Sequence, residues 1–372
     1  MTAPERAFAI VTGGGTAGHV LPALAVAEAL VAAGHPRSSI HYVGSERGIE
    51  VRLVPPTGFP LVLLPGRGIQ RRLTLANVAA AWGLLRAALQ ALVLVRRLRP
   101  RVVVAVGGYA SVAVGLAAVA WRVPLIVAEQ NAAPGAANRL LARFARASAV
   151  SFEGTPLPHA VVTGNPVRTE ISAIDPERDR PRARAALGVG EGRRLVLVFG
   201  GSLGALRINQ AVLDALPAWR DRDDLAIHHV VGDRDWEAIS AAVPEDLGSL
   251  QYRAVRYEDD MPTALAAADL AVCRAGSGTC FELAAVGLPA VLVPSPHVTA
   301  DQQTANARRL VEAGAARLVP DAELDGPRLV AEVDALLGDD AARTAMAEAA
   351  RRWARPDAAQ RIAALALEHA RG

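Results

Sequence analysis

The sequence CRAGSGTCFE, residues 273–282, decides the fold class of this chain. It follows a short apolar run, residues 268–272, and leads into FELAAVGLP, which has the composition of a helix. The small residues in between let a ligand approach backbone amides at a helix N-terminus, where about half a positive charge favours phosphate. Glu282 follows in the helix, where a carboxylate can accept hydrogen bonds from a ribose diol. Taken alone, the stretch is equally compatible with a tight turn into a helix that carries a terminal charge.

Composition narrows the class of protein. The 372 residues are 52% hydrophobic but only 4% aromatic, which suits buried parallel strands and helices of small residues. The formal net charge of +3 is too small to indicate nucleic acid as the main partner, and the absence of lysine excludes a catalytic lysine. Cys273 and Cys280 are too few for a disulfide framework or a zinc site. Both are predicted to be small buried side chains in a reducing cytoplasm.

Residues 102–121 carry no charge and are long enough to suggest a membrane span. The first part, VVVAV, is β-branched and ends in two glycines, whereas LAAVAW further on contains helix formers. The pattern therefore predicts a strand, a loop and a helix. The apolar run after Arg6 is too short for a signal peptide.

Strand patterns alternate with helical patterns twice along the chain. The first series contains residues 8–11, 40–43, 102–106 and 125–127, and the second begins after Arg193 and includes 227–231, 270–272 and 290–293. Two such series predict an α/β protein with two doubly wound, Rossmann-like domains facing across a cleft. Ligand-binding loops are expected along one edge of each sheet.

Turn residues at 163–166 mark the join between the domains. Residues 1–164 are predicted to form the first domain, completed by a helix within residues 356–372. Residues 165–355 are predicted to form the second.

The first glycine loop, GGGTAG at residues 13–18, precedes His19 at the mouth of a helix. Its G-x-G-x-x-G spacing matches a dinucleotide fingerprint, but neither Glu28 nor Glu46 lies where the expected acidic residue belongs. A general base at His19 would contribute about 10²- to 10⁴-fold to a proton transfer. Capping of a local carbonyl is the structural alternative for this histidine.

Several other polar or glycine-rich segments follow predicted strands. They are Gly107-Gly108-Tyr109, Glu129-Gln130-Asn131, residues 200–205, and a cluster that contains His297, Asp301, Gln302, Gln303 and Asn306. Arg168 follows the domain join and suits a pyrophosphate clamp. The triplet Asp233-Arg234-Asp235 is predicted to be a solvated turn rather than a metal–nucleotide site.

In this order, the motifs resemble the MurG family of N-acetylglucosaminyltransferases, which have the GT-B architecture. Residues 14–19 are similar to the family's G-G-T-G-G-H, with Ala17 in place of glycine. The segments at 107–109, 129–131 and 164–168 match, and Gln302-Gln303 with Asn306 matches the family's Q-Q-x-x-N. Three further positions depart from the pattern: Leu203 replaces glutamine, Ala275 replaces serine, and Ala128 stands where histidine is common. After Ser111, residues 112–114 also replace a run that contains glycine and proline in the family.

The resemblance implies inverting transfer of N-acetylglucosamine from UDP-GlcNAc to the muramyl 4-hydroxyl of lipid I. The product, lipid II, serves peptidoglycan synthesis at the cytoplasmic face of the plasma membrane, where the enzyme would be peripheral and meet other cell-wall synthesis proteins. No metal or other cofactor is expected. A UDP-GlcNAc 2-epimerase or another GT-B glycosyltransferase is the alternative of the same fold. An NAD-dependent oxidoreductase and a non-enzymatic nucleotide-binding module are the alternatives from other classes.

The resemblance also implies a role for each motif, with His19 as the candidate general base. The first domain would bind lipid I through Gly14, Gly15, Thr16, Ala17, Gly18, Gly107, Gly108, Tyr109, Glu129, Gln130 and Asn131. The second domain would bind UDP-GlcNAc through Arg168, Ser202, Glu258, Arg274, Ser277, Gly278, Thr279, Glu282, Gln302 and Gln303, with Thr16, Ala17, Gly18 and Asn131 also near the donor. Within this set, Glu282 would bind the ribose, and Glu258 would meet the uracil by its backbone alone.

A membrane contact is expected between residues 68 and 101. Apolar residues recur at helical spacing beside arginines, a composition that suits an interfacial helix on anionic lipid. The residues are Leu75, Val78, Trp82 and Leu85, with Arg71, Arg72 and Arg86. Packing of this stripe on the sheet is the alternative.

Overall fold

The computed structural model describes residues 6–65, 75–201 and 204–372, without the side chains of residues 75–82, 84 and 299. The chain divides into two compact units, Met1–Val167 with Arg355–Gly372, and Arg168–Ala354. The domain boundaries predicted from the sequence lie at 164/165 and 355/356.

The first unit is built on a parallel sheet. Its strands are β1 (Ala9–Gly13), β2 (Ile40–Ser45), β3 (Leu61–Leu64), β4 (Val102–Gly107), β5 (Leu125–Glu129), β6 (Ala147–Val150) and β7 (Ala160–Val162). They are arranged in the order β3-β2-β1-β4-β5-β6-β7. The central strands are apolar at almost every position because both faces of the sheet are covered.

Helices cover both faces of this sheet. They are α1 (Ala17–Ala32), α2 (Glu50–Leu53), α3 (Leu75–Leu98), α4 (Tyr109–Ala120) and α5 (Ala136–Leu141). Side chains of β1 alternate between the two cores: Ile10 packs with α3 and α4, whereas Val11 packs with α1. Residues 102–121 therefore form β4 and α4, as predicted.

The second unit repeats the design. Its strands are β8 (Arg194–Phe199), β9 (Leu225–Val230), β10 (Gln251–Val255), β11 (Leu270–Cys273), β12 (Ala290–Leu292) and β13 (Arg317–Leu318), paired in parallel in the order β10-β9-β8-β11-β12-β13. Its helices are α6 (Thr169–Ser172), α7 (Pro176–Leu187), α8 (Leu206–Trp219), α9 (Trp236–Ala241), α10 (Met261–Ala267), α11 (Ser277–Val286), α12 (Gln302–Glu312), α13 (Gly326–Leu337) and α14 (Asp340–Trp353). The prediction of two doubly wound α/β domains is confirmed.

The last helix, α15 (Ala358–His369), returns to the first unit. Ile362, Ala363 and Ala366 are buried there in the core that contains α1. Cys273 and Cys280, in the second unit, are buried free thiols, as predicted. Across the described ranges, no helix combines the length and apolar character that a membrane span needs.

Candidate functional site

The first glycine loop, between β1 and α1, packs against the loop after β4. Gly14 N donates to Gly107 O at 3.2 Å. Gly108 has a φ of 89°, and a Cβ there would lie 2.4 Å from Gly14 O, so only glycine fits. The Ser111 hydroxyl donates to Thr12 O at 2.8 Å and accepts from Gly107 N at 3.2 Å. The loops after β1 and β4 thus form one surface, on which residues 15–18 are exposed.

A buried carboxylate that was not predicted from the sequence supports this loop. Glu50 of α2 is 0% exposed and accepts from Gly15 N at 3.1 Å and from Ser45 N at 2.6 Å. A Cβ would meet the Glu50 side chain at 2.5 Å if built on Gly44, and at 1.9 Å if built on Gly48. A Cβ on Gly14 would lie 2.3 Å from Glu50 Oε1, so glycine at all three positions makes room for the carboxylate. Glu50 forms no ion pair within the described part of the chain. The signal in the sequence was limited to these three glycines.

His19 lies in the first turn of α1 and is half-buried. Its Nδ1 is 3.4 Å from Thr16 Oγ1, and a Cβ at Gly107 would lie 3.1 Å from its Nε2. Burial lowers the pKa of His19, while the negative charges of Glu129 and Glu50 act in the opposite direction. The imidazole is therefore neutral at neutral pH, as a general base must be.

Glu129 ends β5 and organises the loop after it. Its Oε1 accepts from Asn131 N at 2.9 Å and from Asn131 Nδ2 at 3.2 Å. Its Oε2 accepts from Gly135 N and from Asn138 Nδ2, both at 2.9 Å. With four donors on a buried carboxylate, Glu129 shapes the loop and leaves the half-buried Asn131 nearer to solvent.

Two other predicted acceptor residues are also held by backbone carbonyls. The buried Gln130 donates from Nε2 to Ala128 O at 2.8 Å. Tyr109, the first residue of α4, is half-buried, and its hydroxyl donates to Pro65 O at 3.1 Å. Gln130 therefore holds the loop after β5 in place, whereas Tyr109 borders the surface that the loops after β1 and β4 form.

The second unit has an open helix N-terminus. Helix α11 begins at Ser277, and a Cβ built on Gly278 would meet nothing within 4 Å. A Cβ on Gly276 would meet only Thr279 Oγ1, at 3.7 Å. The amides of this first turn have no intrahelical acceptors and carry roughly half a positive charge. The predicted phosphate site at residues 277–279 therefore has the geometry of an anion site.

Arg168 and Glu282, predicted as separate contacts of the donor, bind each other. Arg168 donates to Glu282 Oε1 from Nε at 3.1 Å and from Nη2 at 2.9 Å. Burial raises the pKa of Glu282, and the positive charge of Arg168 opposes that rise. Both bonds end on one oxygen, so Oε2 has no partner among the described residues and is available to a ligand hydroxyl.

Arg274 donates hydrogen bonds to residues that follow β12 and β13. Its Nη1 donates to Asp321 Oδ1 at 2.5 Å and to Val293 O at 3.1 Å. Nη1 of this predicted donor-binding residue is therefore bonded to acceptors within the protein.

Helix α12 places the glutamine pair beside the same loop region. Gln303 Oε1 accepts from Ser295 N at 2.8 Å, and the buried Asn306 donates to Ala275 O at 3.2 Å. These two side chains fasten α12 to the loops after β11 and β12. Gln302, the first residue of α12, is half-buried.

The segment before α12 is strained. Ala300 and Asp301 have φ values of 54° and 49°, which non-glycine residues rarely adopt. Such strain costs about 1–3 kcal/mol per residue and is concentrated at functional sites.

The prediction of a solvated turn at residues 233–235 holds for Asp233 but is wrong for Asp235. Asp235 is buried and accepts from Asn209 Nδ2 at 3.1 Å. A Cβ on Gly204 would lie 2.9 Å from Asp235 Oδ2, so this carboxylate lies directly against the glycine loop after β8. The amide of Asn209 requires an acceptor there, which explains why the aspartate is buried.

Glu258, for which only a backbone role was predicted, forms hydrogen bonds through its side chain. Its Oε2 is 2.8 Å from Nε2 of the buried His228 in β9, and its Oε1 accepts from Asp260 N at 2.9 Å. Burial lowers the pKa of His228, and Glu258 opposes that effect. The side chain, which the sequence prediction treated as irrelevant, anchors the loop before α10 to the sheet.

Some predicted residues cannot be placed. Ser202, Leu203, Arg71 and Arg72, and the side chains of Leu75, Val78 and Trp82, lie outside the described part of the structure. Leu85 is 49% exposed, and Arg86 beside it is also exposed. Within the described residues, no cluster of three or more His, Cys, Asp or Glu side chains could hold a metal ion.

Comparisons with known proteins identify the family of this chain. Residues 9–150 match the glycosyltransferase family 28 N-terminal domain, and residues 195–362 match the corresponding C-terminal domain. A protein of Salinibacter ruber is 43% identical over 95% of this chain and 94% of its own length. That protein is named UDP-N-acetylglucosamine--N-acetylmuramyl-(pentapeptide) pyrophosphoryl-undecaprenol N-acetylglucosamine transferase.

One solved structure is similar to this chain in both sequence and fold, whereas another is similar in fold alone. The crystal structure of Acinetobacter baumannii MurG superposes with a TM-score of 0.77 at 30% identity, covering 98% of this chain and 100% of that one. UDP-GlcNAc 2-epimerase from Neisseria meningitidis, solved with UDP-GlcNAc, gives a TM-score of 0.67 at 13% identity, covering 97% and 100%, and shares only the fold. Because the Salinibacter ruber transferase is 43% identical and Acinetobacter baumannii MurG is 30% identical over nearly the whole length, this chain belongs to the MurG family of glycosyltransferases.

Proposed function

We propose that this chain transfers N-acetylglucosamine from UDP-GlcNAc to the 4-hydroxyl of the muramyl sugar of lipid I, with inversion, and so forms lipid II for peptidoglycan synthesis. The observation that carries the proposal is the open N-terminus of α11 with the Glu282 carboxylate one turn further on, in a chain of the MurG family. An anion site and a hydroxyl acceptor at this spacing suit the phosphates and ribose of one nucleotide.

The second unit would hold the donor. The amides of residues 277–279 would bind the diphosphate, and Glu282 Oε2 would accept from the ribose diol while Arg168 holds Oε1. The loop that Glu258 anchors would meet the uracil by its backbone. Gln302 and Gln303 would contact the sugar, with Gln303 oriented by its bond to Ser295 N at 2.8 Å.

The first unit would hold the acceptor on the joined loops at residues 13–18 and 107–109. The neutral imidazole of His19 would take the proton of the acceptor hydroxyl. The hydroxyl oxygen would then attack C1 of the sugar from the face opposite UDP. The bond from C1 to the phosphate oxygen breaks, and UDP leaves with the electron pair, which inverts the anomeric centre.

Charge that develops on the leaving diphosphate would be stabilised by the helix α11 N-terminus and by Arg168. Preorganised donors of this kind act most strongly on charge that appears in the transition state. The proposed reaction therefore includes no metal ion, and turnover is expected to persist in excess EDTA.

The enzyme would act at the cytoplasmic face of the plasma membrane as a peripheral protein. On α3, Leu85, Leu89 and Val93 are 49%, 55% and 67% exposed and recur every four residues, so they form one apolar stripe. Arg86 and Arg96 on the same helix are exposed. Apolar side chains beside arginines suit contact with anionic lipid.

The decisive test is incubation of the pure protein with UDP-GlcNAc, with and without a lipid I analogue. Acceptor-dependent UDP release with formation of a β-linked disaccharide product is expected. Formation of the 2-epimer, or UDP release that ignores the acceptor, would contradict the transferase assignment. Binding of NAD without binding of UDP would contradict the donor site as well.

A further inference from the structure

A cavity of about 760 Å³ opens in the first unit at the amino ends of β1, β4 and β5. The glycine loops lie at the opposite ends of the same strands. The five residues of β1 separate the two regions by about 16 Å at 3.3 Å per residue. The cavity is therefore distinct from the surface that would hold the acceptor.

Five arginines line this cavity, and no aspartate or glutamate does. They are Arg6, Arg96, Arg99, Arg101 and Arg371. None of the five forms an ion pair with another described residue. The helices α1, α3, α4 and α15 end near the cavity, and each C-terminus contributes about half a negative charge. Gly372 also lines the cavity, and its α-carboxylate contributes one negative charge. Together these groups offset about three of the five positive charges, so the cavity keeps an excess of positive charge.

Contacts within the cavity wall hold some of these arginines in place. Arg101 Nε donates to Arg371 O at 2.5 Å, and Arg371 Nη2 donates to Trp121 O at 3.0 Å. The guanidinium of Arg101 lies 5.9 Å from the ring centre of Phe8, and that of Arg96 lies 5.4 Å from the ring centre of Trp121. Stacking on a ring leaves the guanidinium edge free to bind a planar or tetrahedral anion.

Arg99, in the cavity wall, has a left-handed backbone conformation. Arg99 follows the last residue of α3 with a φ of 46°, a position where glycine is strongly preferred. Arg122 occupies the same kind of position after α4, with a φ of 56°, but does not line the cavity.

His35, in the cavity wall, has a pKa lowered by burial and by the positive charge of Arg101.

We propose that this cavity is a binding site for a multiply charged phosphate group, carried either by a soluble molecule or by a lipid head group. Several guanidinium groups converge on one concave space, and each can give paired hydrogen bonds to phosphate oxygens. The site does not depend on the reaction proposed above.

The test is titration with inorganic tripolyphosphate by calorimetry at low salt, with UDP present in excess to occupy the donor site. Arg99→Gly removes one cavity charge at a position where glycine relieves backbone strain, so folding is preserved. Arg122→Gly is the matched control, because it makes the same change at the end of α4 outside the cavity. We expect Arg99→Gly to weaken tripolyphosphate binding at least fivefold and Arg122→Gly to change it less than twofold. Equal effects of the two variants, or no binding to the wild type, would overturn the proposal.

Vesicles distinguish the two sources of the phosphate. Arg99→Gly should weaken sedimentation with vesicles that contain phosphatidic acid, but not with equally charged phosphatidylserine vesicles, if the ligand is a lipid head group with a phosphate monoester. Loss of tripolyphosphate binding without any change on either vesicle assigns the site to a soluble anion. A loss on both vesicle types that Arg122→Gly reproduces would indicate general charge attraction and contradict a specific site.

Discussion

The carboxylate of Glu50 accepts a hydrogen bond from the backbone N–H of Gly15 at 3.1 Å and thereby ties α2 to the first glycine loop. The same carboxylate accepts from Ser45 N, so it joins the ends of two neighbouring strands. Its negative charge also raises the pKa of His19. One buried side chain thus affects both the shape of the loop and the proton affinity of the candidate base.

Glu50→Gln should lower stability and turnover together. The NH₂ group of the glutamine would face the backbone N–H of either Gly15 or Ser45, and that N–H would lose its acceptor. A buried donor without a partner lowers the free energy of unfolding by about 1–3 kcal/mol. With the negative charge gone, the pKa of His19 should fall, so the acidic limb of the rate profile should move to lower pH. Urea unfolding and a pH–rate profile measure both effects. Glu28→Gln, on the exposed side of α1, is the control. An unchanged profile would rule out coupling to His19.

Glu282→Ala should raise the KM for UDP-GlcNAc and weaken UDP binding. A hydrogen bond to a charged group contributes about 1.5–3 kcal/mol, which corresponds to roughly 10- to 150-fold per bond. Calorimetric titration with UDP checks the prediction without turnover. Glu332→Ala, which removes a carboxylate paired with Arg317 and Arg328 elsewhere in the second unit, should leave UDP affinity intact. Wild-type affinity in Glu282→Ala would make this carboxylate a structural partner of Arg168 alone.

His19→Ala should reduce turnover by about 10²- to 10⁴-fold and leave UDP affinity nearly unchanged, because a general base acts on the acceptor. In the wild type, the lowered pKa of His19 should keep the enzyme active below pH 6.5, with the rate falling only where the imidazole takes up a proton. Steady-state rates across pH, with UDP titration as the second measurement, test both points. Turnover that survives the substitution would assign His19 a structural role.

The buried His229 should make stability depend on pH. Its Nδ1 is 2.9 Å from Tyr252 Oη, and its Nε2 is 2.9 Å from Asn209 Oδ1. Burial, with the charge of His228 as a smaller cause, lowers the pKa of His229 from 6.5 to about 4. The unfolded chain therefore binds this proton more tightly. The stabilisation is complete above pH 6.5 and is lost as pH falls toward about 4, by roughly 3 kcal/mol in total.

His229→Gln should flatten the dependence of unfolding free energy on pH between 4 and 6.5. The variant should also be less stable at pH 7.5, since it loses a satisfied pair of hydrogen bonds. Urea unfolding at pH 5 and pH 7.5 measures both quantities. His297→Gln, at an exposed position, should keep the wild-type slope. A slope unaltered by His229→Gln would assign the pH dependence to other groups, such as His228.

Leu89→Ser with Val93→Ser should weaken binding to anionic vesicles and slow the reaction with full-length lipid I. A water-soluble, short-chain acceptor should still react at the wild-type rate, because these side chains are exposed and contribute little to the core. Val161→Ser with Val311→Ser, at two other exposed positions, is the control pair. Loss of activity on both acceptors, with a lower melting temperature, would show that the stripe is part of the packing.

Much of the fold could be predicted from the sequence because buried parallel strands need continuous apolar runs. Residues 102–106 and 270–273 are such runs, and both form central strands of their sheets. The glycine loops could also be located, since a strand followed by glycines and a helix has few alternatives. The roles of single side chains were harder to predict. Arg274 was expected to be a ligand contact, yet it bonds Asp321, which lies 47 positions away in the chain.

Side-chain pairs such as Arg274 and Asp321 depend on which loops lie close together in the fold, and a local sequence pattern does not predict this. The same reason explains Glu50, whose partner Gly15 is 35 positions away. It also explains Asp235, whose surroundings in the sequence are charged although its partner Asn209 is buried.

The return of α15 to the first unit affects how the protein is made. Ile362, Ala363 and Ala366 complete the core around α1, but the ribosome adds them after all of residues 168–354. At roughly 5–20 residues per second, about 10–40 s pass while the intervening unit is synthesised. During that interval the face of α1 that α15 will cover has no partner from its own chain. The middle of the polypeptide can therefore reach its native state before its beginning does.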